Sequence, residues 1–343
     1  MKRLFLFAAL LVAPLLSAAD HLVFEPQGEA KGKHVVLLAG DEEYRSEEGM
    51  PMLARLLAQH HGFRTTVLFS LDKDGNIDPN NQASLSHPEA LAQADAIVML
   101  VRFRHWPEPA MKLFHDAVKR GVPIVALRTS THAFNVGKDS AFASWAWNHA
   151  SGGFGRQVLG ETWVSHWGKH RAEATRGVVE KEHAAHEVMR GVANVFGTTD
   201  VYEAAPPSDA VVLLRGQVLA GMEPDSPVAS YEKAPRGKPE QDVNLPMMPV
   251  AWLREVTHDS GKTSRVLCTT MGASTDLLNE DLRRLVVNGV YWGLQLEVPA
   301  RAEVTPVGQY EPLMYGTKDG TDLTDKHRFR GYRRGVKPDD LQK

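Results

Sequence analysis

The chain is expected to fold as an α/β protein built on a doubly wound, mostly parallel sheet. Three short apolar runs in the first half, residues 35–39, 97–101 and 124–127, lack polar alternation, as strands buried on both faces do. Stretches with helical spacing separate them, giving a βαβ rhythm. Each run ends in a polar cluster, and open α/β sheets bind ligands outside the carboxyl ends of their strands.

From the start of the chain, Lys2 and Arg3 precede an apolar run from Leu4 to Leu16. Ser17, Ala18 and Ala19 then form a small-residue cleavage site. Residues 1–19 are expected to be a signal peptide cut after Ala19, placing the protein in the periplasm or medium, off the membrane. Residues 20–32 form an extension, 33–297 the α/β domain, and 298–343 an irregular polar, basic tail with Arg328, Arg330, Arg333 and Arg334.

Within the domain, the first helix opens near Ser46, where Glu47 and Glu48 suit the positive end of the helix dipole. Met52, Leu53, Leu56 and Leu57 keep helical spacing up to Gly62. Residues 65–69 read as a second strand. Pro107 opens a helix carrying Met111, Phe114 and Val118 that ends at Gly121. The Trp-, His- and Gly-rich stretch 142–177 reads as an elaboration over the crevice. Further strands are expected at 211–214, 228–231, 250–253 and 265–270, and a last helix at 279–294. No internal repeat is visible.

Losing Lys2 and Arg3 with the signal moves the formal charge from −3 to −5. Such mild acidity argues against nucleic acid or an anionic membrane as partner. A single cysteine, Cys268, excludes intrachain disulfides, and its apolar neighbours mark it as buried.

Four constellations carry candidate chemistry. Asp41 and Glu42 follow the first strand and could supply a general base, a metal ligand or a hydroxyl acceptor, with Glu43 beside them solvated. Arg102 and Arg104 follow the third strand, suited to an oxyanion or to salt bridges with the acidic loop. Arg128-Thr129-Ser130-Thr131-His132 occupies the turn where related sheets place a nucleophile, without the glycines of a sharp elbow. There Thr129 would donate to substrate and His132 would act as acid–base group or ligand.

His149, Glu161, His166 and His170 form the richest metal-like set. A divalent ion such as zinc would take His132, His166 and His170, while the other reading is a wet, sugar-facing surface. Trp163 and Trp167 are the best-placed tryptophans to stack on a sugar, with Glu161 on its hydroxyls. The loop from Asp72 to Asp78 lacks the glycine and glutamate of a calcium loop and reads as an exposed turn.

The segments Leu38-Ala39-Gly40-Asp41-Glu42-Glu43-Tyr44-Arg45, Arg128-Thr129-Ser130-Thr131-His132-Ala133-Phe134 and Gly160-Glu161-Thr162-Trp163-Val164-Ser165-His166-Trp167-Gly168 carry a family resemblance. So do Asp200-Val201-Tyr202-Glu203, Pro249-Val250-Ala251-Trp252 and Asn288-Gly289-Val290-Tyr291-Trp292. Together they resemble the trehalose-utilisation (ThuA-like) family, across most of residues 33–297. The resemblance implies a flavodoxin-like sheet of the class I glutamine amidotransferase type and a link to disaccharide breakdown through 3-keto-glycosides. The amidotransferase nucleophile position carries no cysteine, so glutamine hydrolysis does not transfer. Where the wider family often has Gly-Leu-His, this chain has Ala126-Leu127-Arg128. The expected function is base-assisted, metal-aided cleavage of a disaccharide or 3-keto-glycoside, using Asp41, Glu42, Arg128 and His132, with no nucleotide cofactor. The alternative is a carbohydrate-binding or assembly protein without catalysis, and a more distant one is a serine hydrolase at Ser130.

Overall fold

A computed structural model describes residues 19–316 and 331–342. Residues 1–18 of the expected signal peptide, and Arg328 and Arg330 of the tail, lie outside the described residues. Among those described, no helix is long and apolar enough to cross a membrane.

A ten-stranded sheet organises the protein. In chain order its strands are β1 (His21–Phe24), β2 (His34–Gly40), β3 (Arg64–Phe69), β4 (Ala96–Val101), β5 (Ile124–Leu127), β6 (Thr175–Val179), β7 (Val195–Gly197) and β8 (Val211–Val218). Two short strands, β9 (Glu232–Lys233) and β10 (Gln241–Asp242), pair only with each other, and β11 (Met248–Thr257) and β12 (Thr263–Thr269) complete the set. The spatial order is β1-β3-β2-β4-β5-β12-β11-β8-β6-β7. Its central five strands, β3-β2-β4-β5-β12, are parallel, and their order is that of flavodoxin-like sheets. The fold class is therefore as the sequence implies. The remaining strands add antiparallel edges on both sides.

Alternate residues of β2 feed opposite faces. Val35, Leu37 and Ala39 join the core under α1 (Ser46–His61) and α3 (Glu280–Gly293). Val36 and Leu38 join the core under α2 (Glu108–Lys119), together with Trp145, Phe154 and Cys268. A continuous apolar strand reads as it does because both of its faces are covered.

Two expectations need correction, while the N-terminal extension contributes a strand: β1 pairs antiparallel with β3 and caps that edge of the sheet. Residues 228–231 do not form a strand, and only the Leu219–Val228 bridge forms there, beside Pro227. The stretch after α3 is irregular to residue 316, but part of it belongs to the core. Val298, Ala302, Val304, Met314 and Tyr315 are buried in the same core as α1 and α3.

Candidate functional site

The switch point of a sheet with this order lies between β2 and β4, whose following loops diverge to opposite faces. Asp41 to Arg45 follow β2, and Arg102 to Arg104 follow β4. Backbone strain gathers here: of the six described non-glycine residues with positive φ, four are Arg45 (58°), Phe103 (53°), Arg128 (41°) and Arg171 (64°). The turn after β5 therefore lacks an elbow glycine because Arg128 itself adopts the left-handed conformation.

The loop carboxylates divide between scaffold and site. Asp41 is fully buried, and its Oδ1 accepts the Glu43 and Tyr44 amides at 2.6 and 2.7 Å. Its Oδ2 accepts the Thr129 hydroxyl, so each predicted role, base and substrate donor, is spent on shaping the loop. Glu42 is gripped at both oxygens, by Arg102 Nε at 2.9 Å and Arg104 Nη2 at 2.6 Å. Burial and the neighbouring Asp41 raise its carboxyl, against the pull of the two arginines. Arg104 is fully buried and also donates to the carbonyls of Arg102 and Pro79. Arg104 is thus a structural tie, while Arg102 stays partly open over the Phe103 ring.

Glu43, expected to be solvated, is buried and central. Its Oε2 takes Arg102 Nη1 at 2.5 Å, and its Oε1 takes His170 Nε2 at 3.1 Å and Arg171 Nη2 at 3.3 Å. Burial alone would raise this carboxyl, but the His170 hydrogen bond and the charges of Arg102, His170 and Arg171 hold it down at about 2.

Asp200, which no spacing argument marked as a site residue, organises the rest. Its Oδ1 receives His170 Nδ1 at 3.1 Å and Arg128 Nη2 at 2.9 Å, and its Oδ2 receives His166 Nδ1 at 2.8 Å. Burial opposes its ionisation, yet Arg128 and the two imidazoles hold the carboxyl well below the usual range. His170 thus bridges two carboxylates; burial works against its protonation, and the bonds to Asp200 and Glu43 raise its pKa. His166 is the most open of the group, with 35% of its side chain exposed.

Arg128 does not reach the cleft as a catalytic cation. Fully buried between the Tyr44 and Tyr202 rings (4.9 and 3.7 Å to the centroids), it donates to the Asp200 and Thr270 carbonyls as well as the Asp200 carboxylate. It orients Asp200. His132 is also buried, bonded to Thr131 and packed on Phe103 and Trp163. Burial, then Arg102, Arg128 and His166, push its pKa well below the ordinary value, so it is neutral. It stands outside both described groups that could hold a metal, Asp20 with His21 and His87, and, in this cleft, His166 with His170 and Asp200, the donor atoms within each lying within 4.8 Å of one another.

Other expected residues fall elsewhere. Glu161 is buried away from the imidazoles, holding the Thr162 and Ala205 amides and the Arg156 guanidinium. His149 is exposed and bonded to Ser151. Ser130 is fully buried with its hydroxyl on the Met99 carbonyl, which removes it as a nucleophile. Trp167 is core, its indole bonded to the Val243 carbonyl. The Asp72 loop is closed on its own amides.

Half-buried Trp163 lies 5.6 Å from His132, 5.8 Å from His166 and 6.1 Å from Trp147, which in turn lies 5.5 Å from Phe103. Phe103, Trp147 and Trp163 therefore form an aromatic shelf beside the ionic floor. A cavity of about 870 Å³ lies instead between β6, the 222–224 loop and residues 311–314, with no histidine among its lining residues. The side-chain chemistry marks the shelf and its floor as the site.

No family model and no curated protein matches the chain. Among solved structures, it is similar to a ThuA-like protein from Parabacteroides merdae, at 14% identity over 77% of this chain and 90% of that one, with a TM-score of 0.46. It is also similar to a ThuA-like protein from Bacteroides uniformis, at 16% identity over 78% and 94%, with the same TM-score.

Proposed function

We propose that this chain is an exported carbohydrate-processing enzyme that cleaves an oxidised disaccharide or 3-keto-glycoside by base-assisted elimination. The observation that carries the reading is His166. Asp200 fixes its Nδ1, leaving Nε2 as the basic nitrogen of a partly open imidazole beside the Trp163 ring. Flat aromatic faces over an ionic floor suit a sugar ring with a reacting polar edge.

The steps follow from acidity. The proton on the carbon between the ketone and the anomeric carbon is the acidic one, and His166 Nε2 takes it. The freed electron pair moves onto the ketone oxygen, where Arg102 at the cleft wall stabilises the enolate charge. Collapse of the enolate re-forms the ketone, makes a double bond between the deprotonated carbon and the anomeric carbon, and expels the glycosidic oxygen, which takes the proton from His166. Asp41, Glu42 and His132 are poorer bases, since the two carboxylates have both oxygens engaged and His132 is buried.

A metal-assisted version has its own support. His166, His170 and Asp200 offer two imidazole nitrogens and a carboxylate that Arg128 keeps ionised, a donor set that suits zinc. A divalent ion held there would supply Lewis-acid polarisation of a sugar oxygen.

Two measurements on the mature chain starting at Asp20 test the proposal. Turnover of 3-keto-trehalose or a 3-keto-glucoside should fall at least about 100-fold in His166→Ala. An unchanged rate removes His166 as the base. Stoichiometric zinc by elemental mass spectrometry, lost in His170→Ala, would select the metal-assisted version. Sugar binding without turnover in the wild type would leave a carbohydrate-binding protein.

A further inference from the structure

The residues behind the ionic floor come from an unexpected part of the chain. After α3 the backbone runs past the first turn of α1, where the Leu313 amide donates to Glu48 Oε2 at 2.7 Å. Tyr310 hydroxyl reaches the Ser274 carbonyl at 2.8 Å, and the Ser274 amide donates to the Tyr44 carbonyl at 3.0 Å. The segment then arrives beneath the cleft. The Gly316 amide donates to the Glu43 carbonyl at 2.8 Å, and Arg45 Nη2 bonds the carbonyls of Gly316 and Glu42 at 2.8 and 2.6 Å. Tyr315 is fully buried. Its ring packs on Tyr44 at 5.1 Å and on His170 at 6.0 Å, and its hydroxyl reaches the Thr198 carbonyl at 3.3 Å.

Tyr315 therefore touches all three parts that must be in register: the loop after β2, the His170 ring, and the strand end two residues before Asp200. We infer that Tyr315 and Gly316 are positioning residues that hold Glu43 and Asp200 at the spacing His170 needs to bridge them. The inference rests on reading this cleft as the functional site, but it concerns the carboxylate–imidazole–carboxylate bridge itself. Without the ring, the Glu43 loop and the Asp200 segment lose their common wall, and the two His170 bonds of 3.1 Å are not held together. Loops are ordinarily the more mobile parts of a fold, so a site assembled from two of them needs such a buttress.

The test needs no substrate. Imidazole N–H protons bonded to carboxylates exchange slowly and resonate far downfield in proton spectra of the full mature chain. His170→Ala identifies the pair by its loss. Tyr315→Phe keeps the ring and should keep both signals, whereas Tyr315→Ala should lose them or broaden them by fast exchange, in protein shown to be folded by its urea transition. If Tyr315→Ala fails to fold, Tyr315→Leu fills the volume without a flat face and should also lose the signals. Unchanged downfield signals in a folded Ala or Leu variant overturn the inference. Failure of the chain to cleave keto-glycosides leaves it standing, because the bridge is read directly.

Discussion

Three histidines near one cleft meet three fates, decided by what each nitrogen touches. His166 has one nitrogen on Asp200 and remains partly open, His170 is locked between Asp200 and Glu43, and His132 is buried and neutral. The arginines divide similarly, which yields a stability prediction for Arg128. It was expected on the catalytic list, yet it neutralises a buried carboxylate with no exposure on either side chain. Arg128→Ala should destabilise the fold by about 3–5 kcal/mol in urea denaturation, because the buried Asp200 would lose its guanidinium and keep only the His166 and His170 bonds. A loss of activity with unchanged stability would instead restore Arg128 as a catalytic group. Trp163→Ala should behave differently. Removing a half-buried stacking face should raise KM for a keto-sugar about tenfold with kcat nearly unchanged, since the ring contacts ground and transition states alike.

At the scale of elements, α1 begins under strain and ends conventionally. Arg45 enters it in the left-handed region, and Gly62 closes it with φ at 69°. Glu47 and Glu48 occupy the expected first turn, Glu47 buried and Glu48 half-buried with its Oε2 on the Leu313 amide of the returning C-terminal segment. Burial, then the charge of Glu47, push Glu48 up to about 7, against the pull of Arg333. A carboxyl raised in the folded state favours folding most when protonated in both states. Its contribution is therefore full below the ordinary glutamate pKa near 4.5 and is lost as pH rises towards 7. Glu48→Gln should remove that loss, giving a chain about 2–3 kcal/mol more stable than wild type above pH 7 and equal to it near pH 4. Denaturant midpoints across pH 4–8 check it, and parallel curves would refute the shifted carboxyl. Helix α3 tests packing instead: a Cβ on Gly289 would meet Leu267 Cδ2 at 2.4 Å. Gly289→Ala should cost about 1–3 kcal/mol by overpacking, despite its better helix propensity, as thermal unfolding would show.

Across the whole molecule, the five parallel strands are a platform and the additions make the site. The parallel core places the loops after β2, β4 and β5 at one edge. The antiparallel extension β11-β8-β6-β7 carries Asp200 back to that edge, just after β7. The elaboration between β5 and β6 brings Trp147, Trp163, His166 and His170 over it, and the strap after α3 closes it from behind. Six separate stretches thus meet within a few side-chain lengths.

Much of this was legible in sequence, for a physical reason. Strands buried on both faces must be continuously apolar, and parallel strands need crossovers, so residues 35–39, 97–101 and 124–127 announced the sheet and its ligand-bearing edge. His166 and His170 were legible as a pair because four residues of chain cannot separate them far. The division of labour among the polar residues was not legible. Whether Asp41 shapes a loop or abstracts a proton, and whether Glu43 is solvated or buried, depends on partners 60 to 270 residues away, such as Arg102, His170 and Gly316. Asp200 lay in a segment of the family resemblance, but no spacing or neighbouring residue marked it as a site group. Its role exists because Arg128, His166 and His170 converge on it, and burial then keeps it charged only in their company. Hydrophobic periodicity is a local property that composition must display, so the chain alone determined the fold. Protonation and access are properties of three-dimensional neighbours, so only the tertiary structure decided which side chains face the cleft.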